Sequence, residues 1–71
     1  MTIKQVERIP LVELRRLKGL SQRDLAANIM ISPSAIAQYE LGDRTPSLEN
    51  ALRIAQYFDI PVENISFTEE K

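Results

Sequence analysis

Ser34, Ala37, Gln38 and Leu41 recur at the i, i+3, i+4, i+7 spacing that sets side chains on one face of a helix. A solvated helix shows Lys and Glu on its outer face. This one offers a hydroxyl, a methyl, an amide and a leucine. An amide donates and accepts hydrogen bonds at once, so the chemistry available is recognition of a polar edge rather than bond breaking. The remaining inventory agrees. The chain has no histidine and no cysteine, which removes imidazole bases, thiol nucleophiles, disulfides and the usual zinc ligands. It also lacks a glycine-rich phosphate cradle and a carboxylate pair with local support, so we expect neither an enzyme nor a bound cofactor or metal.

The elements that must position this face are marked by start and stop signals. In "LSQRDL", Ser21 is an N-cap, Asp24 stands three residues on as the acidic half of a capping box, and Leu20 with Leu25 forms a hydrophobic staple. That predicts a second helix running to about Ile29. "ISPSAI" repeats the device, with Ser32 as N-cap, Pro33 in the first helical position, and Ile31 stapled to Ile36. A third helix then runs to Leu41, with Gly42 as its left-handed cap. Before these, Pro10 suits the first turn of a helix whose stripe of Leu11, Leu14 and Leu17 ends near Gly19. After them, Ser47 caps "SLENALRIAQYF", where Leu48, Ala51, Leu52, Ala55 and Phe58 follow helical spacing and Ile54 widens the face. "IPVENISF" predicts a short fifth helix starting at Pro61, and the terminal "TEEK" should be frayed. The fold class expected is all-α, five short helices in one domain spanning residues 1–71 with a core of about 10–67.

Two short helices separated by three residues must cross steeply, and their contact needs a small residue. Ala26 fills that place. Ile36 and Tyr39 form the buried side of the third helix, with Phe58 also in the core. The Ser34 to Leu41 face then points away, as a helix offered to a groove.

Seventy-one residues, 44 % of them apolar, make one core with little room for a deep pocket. No apolar run approaches the roughly 20 residues that cross a bilayer, and "MTIKQVERIP" lacks a signal-peptide core. With no cysteine, the expectation is a soluble cytoplasmic protein that does not engage a membrane. Net charge is −1, which alone argues against a polyanionic partner. Its distribution does not: residues 1–44 carry seven basic and five acidic side chains, residues 45–71 two and five. Such a chain can present a basic end to a polyanion.

The segments "LRRLKGLSQRDLA", "ISPSAIAQYELG" and "TPSLENALRIAQYFDIPVENI" resemble, at the right mutual spacing, the helix-turn-helix domains of lambda-type repressor and Cro proteins, the XRE family. The resemblance spans roughly Leu11 to Ile65. It implies a lambda-repressor-like fold, with helices two and three as the helix-turn-helix, and a duplex-DNA-binding regulator of transcription, a repressor in the favoured form. It implies that Gln22 meets a phosphate, and a helix N-terminus suits an anion independently. Gln38 matches a base-reading position, where a Gln amide can bond an adenine N6/N7 edge. Ser32, Pro33, Ser34 and Ala37 match other groove-facing positions, and Arg44 with Thr45 matches a loop that meets backbone phosphates. Arg15 and Glu40 match positions that pair, tying the first helix to the end of the recognition helix. Arg16, Lys18 and Arg23 read as solvated charge.

One residue departs from the family pattern. The family places glycine where this chain has Met30; a left-handed Met30 would cost on the order of 1 kcal/mol relative to glycine. A single recognition helix reads few base pairs, so a homodimer on a palindromic operator is expected, its interface at Ile65 and Phe67 beyond Ile60 and Val62. The alternative from another class is a protein-interaction module of the same fold, antitoxin-like or coactivator-like, with a regulatory protein as main ligand. Leu41 is the one residue of the outer face that favours it.

Overall fold

The computed structural model describes residues 8–67, and the terminal "TEEK" lies outside them. Its elements are β1 (Ile9–Pro10), α1 (Leu11–Leu17), α2 (Gln22–Ile29), α3 (Pro33–Leu41), α4 (Leu48–Phe58), a 3-10 turn (Val62–Asn64) and β2 (Ile65–Ser66). The two short strands pair in parallel, Ile9 opposite Ile65 and Pro10 opposite Ser66.

Three helices start as their sequences dictate. Ser21 Oγ accepts from the Asp24 N–H at 3.0 Å while Asp24 Oδ2 accepts from the Ser21 N–H at 3.1 Å, a complete capping box. Ser32 Oγ accepts from Ala35 N–H at 3.1 Å, with Pro33 opening α3, and Ser47 Oγ accepts from Asn50 N–H at 3.2 Å. Each such cap stabilises its helix by about 1 kcal/mol.

The helices also stop alike. Each of the four ends on a left-handed residue: Gly19 (φ 69°), Met30 (φ 60°), Gly42 (φ 81°) and Asp59 (φ 60°). The following N–H reaches back to the carbonyl five residues earlier, in Leu20 to Arg15, Ile31 to Ala26, Asp43 to Gln38 and Ile60 to Ala55. This is the Schellman closure, which satisfies carbonyls the helix leaves open and turns the chain sharply. In three of the four the residue after the turn is apolar, and Leu20, Ile31 and Ile60 all pack on the core. The turn and the burial of the next residue are one event.

Leu11, Leu25, Ile36 and Ile54 are fully buried at the centre. Ala26, 2 % exposed, lies where α2 meets α3, with Tyr39 and Phe58 in the same core. No helix among the described residues is long and apolar enough to cross a membrane.

The structure corrects three expectations. Among the described residues there is no fifth α-helix: Pro61 is extended, Val62–Asn64 makes a single 3-10 turn, and Ile65 goes straight into β2. The segment is β-branched and has an open strand edge at Ile9 to pair with, so extended pairing wins over a helix too short to close its own bonds. Pro10 stands before α1 rather than in its first turn, with ψ at 143°. Leu17 is 77 % and Leu48 72 % exposed. A three-residue repeat drifts 60° per step, so Leu17 has rotated about 120° from Leu11, and Leu48 lies as far from Ile54. Ile54, expected to widen the α4 face, is its centre, and Leu52 lies outside it.

Candidate nucleic-acid interface

α3 is presented by a support that begins on α1. Arg15 Nε donates to Glu40 Oε2 at 2.6 Å and its Nη2 to Glu40 Oε1 at 3.1 Å, a two-pronged pair that is 13 % and 7 % exposed. The remaining arm, Nη1, donates to the Leu20 carbonyl at 2.8 Å in the turn before α2. Glu40 holds the Arg15 guanidinium above its ordinary pKa through that hydrogen bond and, to a lesser degree, charge attraction; burial opposes the shift. The pair expected between these residues is present, joining α1, the first turn and the end of α3.

Gln22 belongs to the same cluster, which the sequence does not reveal. Its Nε2 donates to Glu40 Oε1 at 2.9 Å. Gln22 opens α2, so its amide is held beside the first-turn backbone N–H groups, where the helix dipole favours an anion. One hydrogen of Nε2 goes to Glu40; the other, with those N–H groups, suits a phosphate oxygen.

On the outer side of α3, Ser32, Pro33 and Ser34 are exposed, Ala37 and Gln38 half-exposed, and Leu41 63 % exposed. Ala35, Ile36 and Tyr39 face the core. The face is thus small and flat except at Leu41. Neither Pro33 nor Ala37 has a polar side-chain atom, so each offers apolar contact only. Past α3, Arg44 Nη1 donates to Gln38 Oε1 at 3.3 Å, and Thr45 is exposed. The expected recognition residues therefore fall into two groups, Gln22 with Arg15 and Glu40 on one flank, Gln38 with Arg44 on the outer face.

Further contacts fix the surroundings. Asn50 Nδ2 donates to Tyr39 Oη at 3.1 Å, tying α4 to the underside of α3. Arg53 Nη1 reaches the Ile29 and Met30 carbonyls at 3.4 Å each, at the turn between α2 and α3. Met30 is left-handed there, and its side chain is 83 % exposed. Ile65 and Phe67, expected at a dimer interface, are placed differently from each other. Ile65 is 4 % exposed and belongs to the monomer's core. Phe67 stays half-exposed, its ring edge-on to Tyr39 at 6.5 Å.

Comparison with known proteins agrees with this geometry. The profile of the helix-turn-helix family matches residues 11–65. The chain is 38 % identical over 56 residues to an uncharacterized HTH-type transcriptional regulator, MJ0272, of Methanocaldococcus jannaschii, covering 79 % of this chain and 85 % of that one. It is 36 % identical over 59 residues to the uncharacterized HTH-type regulator YgzD of Bacillus subtilis, covering 83 % and 89 %. Among solved structures, the restriction-modification controller protein C.AhdI from Aeromonas hydrophila superposes with a TM-score of 0.70 at 41 % identity, over 76 % of this chain and 82 % of that one. With both the profile and the part-buried support of α3 in place, the chain belongs to the XRE family of helix-turn-helix transcriptional regulators.

Proposed function

We propose that this protein binds duplex DNA by laying α3 in the major groove and so represses transcription by occupying a promoter. Gln22 and the first-turn amides of α2 meet one phosphate strand, Arg44 and Thr45 another. Gln38 reads a base edge, flanked by Ser32 and Ser34 hydroxyls and by Pro33 and Ala37 against thymine methyls. The observation that carries this reading is the flat, small outer face of α3 above the Arg15–Glu40 support. A helix that docks on protein needs a row of large anchors, and Leu41 stands alone on this face.

One such helix covers only a few base pairs, so two copies on inverted half-sites about one helical turn apart give useful specificity. Apolar surface suited to pairing is exposed on α4 at Leu48 and Leu52, beside a shallow hollow of about 360 Å³ lined also by Ile60, Pro61 and Val62. Phe67 supplies what its contact with Tyr39 leaves exposed.

Selection of bound sequences from a random duplex pool tests both parts. The expected product is an inverted repeat. Gln38→Ala should lose roughly 1–3 kcal/mol on that site while binding to scrambled duplex hardly changes. Equal loss on both duplexes removes Gln38 from the reading set, and recovery of single half-sites removes the dimer.

A further inference from the structure

Arg44 lies against the side chain of Gln38. After Gly42 the chain folds back so tightly that the Asp43 and Arg44 N–H groups both donate to the Gln38 carbonyl, at 3.0 and 3.3 Å. That closure sets Arg44 beside the Gln38 side chain, where Nη1 donates to Oε1 at 3.3 Å. A guanidinium has donors only, so the amide must turn its oxygen toward Arg44 and its Nε2 away from it. The bond is exposed in the free protein. Docking on DNA excludes water around it and strengthens it.

Resting on the major-groove reading above, we propose that Arg44 makes Gln38 a donor-only reader that selects guanine rather than adenine. Adenine presents an acceptor, N7, beside a donor, the N6 amino group, and a free glutamine matches both by donating and accepting. Here the accepting oxygen already carries a cationic donor, which also repels the N6 amino hydrogens. Guanine presents two neighbouring acceptors, N7 and O6. The two hydrogens of Nε2 suit that edge, and the adjacent positive charge favours it. Thymine offers one acceptor next to a methyl group, and cytosine offers a donor, so neither matches as well. A guanidinium has five N–H groups, so holding Gln38 leaves Arg44 able to meet a phosphate as well.

The test is pool selection with the wild type and with Gln38→Ala, Arg44→Met and Arg44→Lys. The position read by Gln38 is the one whose preference Gln38→Ala erases. In the wild type that position should favour guanine over adenine by roughly tenfold, the lower range for one good pair. Arg44→Met keeps the stem, loses the donors and frees Oε1, so the same position should move to adenine while the others hold. Arg44→Lys retains a cationic donor and should keep guanine. A wild type that enriches adenine there, or an Arg44→Met that binds all duplexes more weakly with guanine still preferred, overturns the proposal and leaves DNA recognition standing. A pool with no enriched sequence overturns base reading itself.

Discussion

Arg15 grips the turn that leads into the helix-turn-helix unit and Arg53 the turn inside it, with the same two kinds of partner, a carboxylate and a turn carbonyl. Arg15 bonds Glu40 and the Leu20 carbonyl between α1 and α2, at 2.6 to 3.1 Å. Arg53 bonds Glu49 and the Ile29 and Met30 carbonyls between α2 and α3, all at 3.4 Å. The Arg15 pair is 13 % and 7 % exposed, the Arg53 pair 44 % and 77 %. Similar bonds therefore carry different weight. Water reaches most contacts of Arg53, whereas the loss of Arg15 would leave a carboxylate whose side chain is 7 % exposed without its cation. The more enclosed clamp is the one that joins α1 to α3; the turn inside the recognition unit has the more exposed one.

The sharpest way to break this contrast is Arg15→Met, which keeps the stem and deletes the charge. Glu40 would be left with Gln22 alone, and because the pair is part-buried the loss should lie between that of a surface bridge and that of a fully buried one, about 2 kcal/mol. Urea unfolding should show the midpoint falling with an unchanged slope. Replacing both partners, Arg15→Met with Glu40→Leu, should recover much of the loss, because no unpaired charge remains. A single-variant loss below about 1 kcal/mol would place the pair with ordinary surface bridges. The sign of the Arg15 shift bears on pH. Its folded pKa is raised, so the stability it gives is complete below the unfolded value and fades only as strongly alkaline pH is reached. Neutral buffers do not touch it.

What the sequence made legible follows the same division between near and distant partners. Ser21 with Asp24, Ser32 with Pro33, and Gly42 are local signals, and α2 begins, and α3 begins and ends, where those residues stand. Arg15 and Glu40 were legible only through the family resemblance, since no local rule pairs residues 25 apart. The β2 segment reads as helix in sequence because its partner, Ile9, lies at the other end of the chain. Gln38 and Arg44 are only six apart, yet no sequence rule pairs them. On a continuous helix they would not meet; only the tight closure after Gly42 brings them together. Leu48 and Leu52 show a further limit, for periodicity finds a stripe more easily than it finds the stripe's centre.

A second, smaller effect tests the weaker turn itself. Met30 sits at φ 60° with its side chain 83 % exposed, so Met30→Gly relieves backbone strain and gives up little packing. The gain should reach up to about 1 kcal/mol, reduced by the greater freedom of glycine in the unfolded chain. Thermal unfolding should register a rise of a few degrees. A fall in stability would mean that the exposed methionine covers something the strain argument ignores, and the turn would then be held by its side chain.

The smallest effect expected is that of Arg53→Met. Its ion pair with Glu49 is an i, i+4 contact on an exposed helix face, worth about 0.3–0.5 kcal/mol. Its bonds to the Ile29 and Met30 carbonyls, at 3.4 Å each, are near the outer limit of hydrogen-bond distance. The Schellman bond from Ile31 to Ala26 and the burial of Ile31 persist without it. The loss should therefore stay under about 1 kcal/mol, and it should shrink when urea unfolding is repeated at high salt, which screens exposed charge within a few ångströms. The Arg15→Met loss should be nearly the same at both salt concentrations. If Arg53→Met proved as costly as Arg15→Met and equally insensitive to salt, the two turns would be clamped alike. α2 and α3 would then owe their mutual angle to Arg53 as much as to Ala26 and Ile36.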